Sequence, residues 1–143
     1  MNRHSLKRQW KDNVVALISL TIAIIALLYT AWREETTEKN RTLRQAGFEV
    51  LKNLGELQII INYAYYQHDT NFGNPYLGWG HIALISDLAV LLPNPIPQTA
   101  NKLVSEWREN WQNIKDNEEA VDQLSAEIDN ARSEVLEAIR YLR

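Results

Sequence analysis

From Asn13 to Trp32 the chain reads NVVALISLTIAIIALLYTAW, twenty residues without a charge. No other feature constrains the fold as strongly. A helix of that length rises about 30 Å, the thickness of a bilayer's hydrocarbon core. Trp10 stands at one end and Tyr29 with Trp32 at the other, where amphipathic rings settle at membrane interfaces, and charged residues begin directly outside them. A buried core helix would need neighbours covering it on all sides, and nothing else in the chain could supply them. A cleaved secretory signal is the closer rival. Its apolar region is normally shorter, and Tyr29-Thr30-Ala31-Trp32 is too bulky for the small residues a cleavage site requires. The segment therefore reads as one retained transmembrane helix.

That anchor divides the chain into a basic tail (1–12), the span (13–32), a polar helical neck (33–42) and a water-soluble remainder (43–143). Arg3, Lys7, Arg8 and Lys11 against Asp12 make the tail +3, while 11 basic and 17 acidic side chains beyond residue 32 make the rest −6. Phosphate-backbone binding needs positive charge gathered on one face, so no nucleic-acid partner is expected. Arg33, Lys39, Arg41 and Arg44 balance the tail's basic residues by number, but the tail packs its four into eleven positions. That density places the amino end in the cytoplasm and the domain on the outer side, which in a bacterium is the periplasmic face of the inner membrane. The expected localisation is single-pass in a plasma or inner membrane, with the bilayer itself as the first partner.

With only four Pro and five Gly, long helices are permitted. Leu43, Gly47, Val50, Leu54, Leu57, Ile61 and Ala64 alternate by four and three, a heptad that keeps one apolar seam facing a partner helix over about 41–66. Residues 67–80, QHDTNFGNPYLGWG, have loop composition. A helix over 81–92 follows, whose apolar residues wrap more than one face and imply burial on several sides. The PNPIP run at 93–97 ends it as a stiff corner. From about 98 the heptad returns through Leu103, Trp107, Asn110, Ile114, Asn117, Val121, Leu124, Ile128, Ala131, Val135, Ala138 and Leu142. One unbroken phase favours a single helix to residue 143, with Asn110 and Asn117 as polar seam positions; Asp116 followed by Glu119 is a capping-box-like pair that would instead break it near 116. The expected fold is all-α: an amino-terminal transmembrane helix, then an antiparallel helical hairpin or bundle with heptad-patterned helices.

Chemistry is sparse. With no cysteine there is no disulfide framework, thiolate metal site or cysteine nucleophile. His68, Asp69 and His81 flank one loop but lack a helical i, i+4 pair, so no metal site, cofactor or catalytic residue is assigned. Asp122, Glu127 and Asp129 fall on the solvent face by heptad position, where nothing desolvates a carboxylate for acid–base work. Tyr63, Tyr65, Tyr66, Phe72, Tyr76 and Trp79 do stand out, placing six of 13 aromatics within seventeen residues. Such rings cap a bundle end or form a contact surface for a partner or ligand, and Trp107 and Trp111 could complete the group. The expected function is a non-enzymatic, membrane-anchored binding, assembly or sensing module that self-associates in coiled-coil fashion and contacts a protein partner. The alternatives are an accessory single-pass subunit of a larger membrane complex or, with reversed topology, a membrane-tethered cytoplasmic effector.

Overall fold

The computed structural model describes the backbone of residues 3–142 and the side chains of residues 13–142. The charged groups of the basic tail lie outside the described side chains. Four helices follow in order: α1 (Arg3–Tyr66), α2 (Pro75–Ala89), α3 (Ile96–Asn110) and α4 (Glu118–Tyr141). Among the described residues there is no strand. The chain forms two compact units, residues 1–39 and 40–143.

In the first unit every large apolar side chain between Val14 and Trp32 is exposed, from 47 to 70%. Its mean hydropathy reaches 2.5, and it is the one helix among the described residues long and apolar enough to cross a membrane. The hydroxyls within it are internally satisfied: Ser19 donates to the Val15 carbonyl, Thr21 to Leu17 and Thr30 to Ala26. Back-bonding of this kind removes the penalty a bare hydroxyl would carry in hydrocarbon. Beyond Trp32 the helix turns polar without breaking. Lys39 lies 2.6 Å from Glu35 and, by donating to it, holds that carboxyl below the usual glutamate range.

The second unit is built around the residues with 4,3 spacing. Leu54, Leu57, Ile61, Leu103, Trp107, Ile114, Val121, Leu124, Ile128 and Val135 are all buried in one continuous core. Ala46, Asn53 and Ile60 are buried as well, so this part of α1 covers two stripes rather than one seam. Arg44 donates to the Leu142 carbonyl, Gly47 lies against Val135 and Ile139, and Gln58 donates to Ser125. Numbering thus rises along α1 as it falls along α4. Lys102 of α3 meets Glu127 of α4 at 2.5 Å, and Glu127 is only 14% exposed, a correction to its solvent-face assignment. The ion pair draws that side chain down beside the α3–α4 boundary.

Helix boundaries depart from the sequence reading in three places, each through local capping chemistry. The loop ends at Asn74, not at residue 80, because the Asn74 side chain accepts from the Tyr76 N–H and Pro75 occupies the first helical position, where no N–H is needed. The α3 helix begins at Ile96, inside the PNPIP run, since Pro97 falls in its first turn; the Asn94–Pro95 bond before it is cis. The single long helix does not form. Successive turns occupy 111–116, and the Asn117 side chain caps α4 by accepting from the Ala120 N–H at 3.2 Å. The break is therefore one residue past Asp116, and Asn117 is a cap, not a seam residue. Asn110 instead donates to the Glu106 carbonyl at the end of α3. Ile114 remains fully buried within the turns, which is how the spacing keeps its phase across a break.

One further expectation is corrected. α2 buries Pro75, Gly78, Ile82, Ile85 and Ala89 on one side, but Leu77, Leu84 and Leu91 on the other side are exposed. The helix is apolar all round and covered on only one face.

Candidate contact surface

The aromatic residues sit where α1 ends and α2 begins, and local hydrogen bonding fixes that corner. The Asp69 N–H donates to the Tyr63 carbonyl, and the Asp69 carboxylate accepts from the N–H groups of Asn71 and Phe72 at 2.7 and 2.9 Å. His68 takes a left-handed φ of 49° to enter the turn. Gly73 then passes so close to α1 that a Cβ there would lie 2.4 Å from the Ala64 nitrogen and 2.6 Å from the Tyr63 carbonyl carbon. Only glycine lets the loop press onto the helix end.

The six residues do not make one cluster. Tyr63 and Phe72 pair across the turn with ring centroids 5.6 Å apart, and Tyr65 and Tyr66 meet edge to face at 4.9 Å. Tyr76 and Trp79 both pack on Trp111, at 4.9 and 6.2 Å, so Trp111 joins the group as its spacing suggested. Trp107 does not. It lies fully buried against Gly78, with its indole nitrogen unpartnered. Burial, followed by Glu118, Tyr66 and Asp122, pushes the Tyr65 phenol up from its ordinary value.

Burial divides the set by role. Tyr65 and Trp79 pack against the core and Tyr63 is half-buried, while Tyr66, Phe72 and Tyr76 are 66 to 70% exposed. The corner thus both caps the bundle and presents three rings to solvent. Leu77, beside Tyr76 and 53% exposed, belongs to the same surface and was missed, because its signal was a spacing of seven with Leu84 and Leu91 that a loop assignment hid. The polar loop residues are otherwise engaged: Asp69 closes the turn and the His81 ring nitrogen lies 2.9 Å from the Asn53 carbonyl oxygen. Among the described residues no three His, Cys, Asp or Glu side chains are grouped to hold a metal ion. The arrangement can recognise by apolar and aromatic contact with phenol hydroxyls at the rim. Comparison with family models, with curated proteins and with solved structures finds no match to this chain.

Proposed function

We propose that this chain is a single-pass membrane protein whose helical unit is a non-catalytic binding module, with a protein partner contacting Tyr66, Phe72 and Tyr76. The carrying observation is that three large rings stand about two-thirds exposed on a corner fixed by a capped helix, an Asx turn and Gly73. Rings held in place lose little entropy on contact, which is why such residues dominate recognition surfaces. The basic tail supports a cytoplasmic amino end, with the module on the opposite side of a plasma or inner membrane. The heptad residues support an antiparallel hairpin-like core within one chain. They are already buried there, so any association between copies uses another face.

The test pairs folding with binding. Phe72→Ala should leave thermal stability nearly unchanged, because the ring is exposed, and should abolish recovery of the partner from membranes solubilised in mild detergent. Trp79→Ala should lower stability instead, since its ring packs on the core. Undiminished partner recovery by a triple Tyr66→Ala, Phe72→Ala, Tyr76→Ala chain would overturn the reading.

A further inference from the structure

We infer that the cavity between the α2–α3 corner and the end of α4 binds an alkylammonium group, carried by a free amine or by a lysine of another protein. It lies within the second unit and shares no residue with the aromatic corner. Its volume is about 500 Å³, in the range of small-molecule sites, and it is lined by residues 93–96 on one side and by Glu134, Glu137, Ala138 and Tyr141 on the other. The four α4 residues are spaced i, i+3, i+4 and i+7, which puts them on one face of the helix.

A neighbouring ion pair shows what this place lacks. Glu127 and Glu134 lie seven residues apart on the same face of α4, and each has its Oε2 shut off from solvent with no hydrogen-bond partner. The other oxygen of Glu127 takes Lys102 from α3 at 2.5 Å. Seven residues before Lys102 stands Pro95, which lines the cavity together with Glu134, so numbering falls along α3 as it rises along α4. Glu134 thus faces a proline and a cavity where Glu127 faces a lysine. Among the described residues neither Glu134 nor Glu137 is in an ion pair. Arg140 does not line the cavity, and Arg44 is engaged with the Leu142 carbonyl. The first N–H groups of α3 are spent inside the corner, Ile96 on the Pro93 carbonyl and Gln98 and Thr99 on that of Pro95, so they do not answer the carboxylate. A cation for Glu134 therefore comes from outside the described residues.

The lining selects the kind of cation. A carboxylate with one oxygen out of water gives up little hydration on meeting a positive charge, so the pair is worth more than one on an open surface. A divalent metal ion needs six or more oxygen ligands, and no group of three His, Cys, Asp or Glu side chains stands here among the described residues. Pro93, Pro95 and Ile96 instead offer apolar walls that suit an aliphatic stem, as along a buried lysine. Tyr141, 75% exposed, places an aromatic ring at the rim, where it attracts a cation.

The test uses the full chain in neutral detergent and ligand-observed NMR. n-Butylammonium should bind saturably, and its neutral isostere n-butanol at least about tenfold more weakly. Glu134→Gln should weaken the ammonium at least about tenfold. Glu137→Gln, at an exposed position, should weaken it as well while leaving thermal stability unchanged, and Asp129→Asn, exposed on another face of α4, should do neither. Phe72→Ala should leave ammonium binding intact, which separates this site from the partner surface. A Gly-Lys-Gly peptide with blocked ends distinguishes the sources: binding tighter than that of n-butylammonium assigns the site to a lysine of another protein, and equal or weaker binding assigns it to a free amine. The inference is overturned by the absence of saturable ammonium binding, by equal binding of n-butanol, or by indifference to both glutamate variants. It is equally overturned if Arg143→Gln tightens binding, which would make the chain's own arginine the occupant.

Discussion

Gly78 and Gly80 lie two positions apart within α2, and replacing each with alanine should move stability in opposite directions. A Cβ on Gly78 would sit 2.1 Å from Cζ2 and 2.5 Å from Cη2 of Trp107, whereas a Cβ on Gly80 meets nothing within 4 Å. Carbon atoms settle at about 3.5 to 4.0 Å, so the indole would have to retreat by roughly 1.5 Å. It has nowhere to go, being a rigid ring with no exposed surface. Overpacking a filled core typically costs about 1 to 3 kcal/mol, and this displacement belongs at the upper end. Against it, alanine is better than glycine inside a helix by roughly 0.5 to 1 kcal/mol. The net for Gly78→Ala is then about 2 kcal/mol lost, and for Gly80→Ala up to about 1 kcal/mol gained. At about 4 to 5 °C per kcal/mol for a unit near 100 residues, the melting temperature should fall by roughly 10 °C in the first case and rise by a few degrees in the second. Tryptophan fluorescence during thermal unfolding of the full chain in detergent reads both. Equal shifts, or a gain from Gly78→Ala, would refute the packing of α2 on Trp107.

Leu124→Asp should destabilise the helical unit by about 4 kcal/mol or more in urea titration, because it places a carboxylate without a partner at a fully buried position. Asn117→Ala should cost about 1 kcal/mol by removing the cap of α4, while Asp116→Ala changes little; the reverse ranking in the same titration would restore the cap to residue 116. Stability should also fall in alkali. Donation to Glu127 raises Lys102 above 10.5, and burial raises Tyr65 above 10.0, so both contributions are full below those ordinary values and are lost as pH climbs through the folded ones. Thermal scans across that range should show the decline, and Glu127→Gln should flatten the Lys102 part of it.

The heptad spacing located the core through its apolar members: Leu54, Leu57 and Ile61, and the apolar positions from Leu103 to Val135, are inside, whereas Asn110 is half-buried and Asn117 exposed. The same spacing hid the break before α4, since the turns at 111–116 advance the chain nearly as a helix does and keep Ile114 inward. Asn117 looked like a seam residue for that reason, although asparagine is among the best helix caps. The start of α2 was lost to composition: Gly78 and Gly80 marked a loop, whereas Asn74-Pro75 is a start signal and Gly78 makes room for Trp107. Of the aromatic group, position in the chain was legible but exposure was not, because the division between Trp79 and Phe72 depends on where Trp111 comes to lie. The uncovered side of α2 was invisible for a related reason. A helix apolar all round has no periodicity to reveal which face is covered.

The proposed function depends on residues 13–32 residing in a bilayer, and extraction of membranes with alkaline carbonate tests that directly. The full chain should remain with the lipid pellet, because a span of mean hydropathy 2.5 with its hydroxyls bonded internally has no aqueous alternative. Release of the full chain into the supernatant together with peripheral proteins would contradict the account.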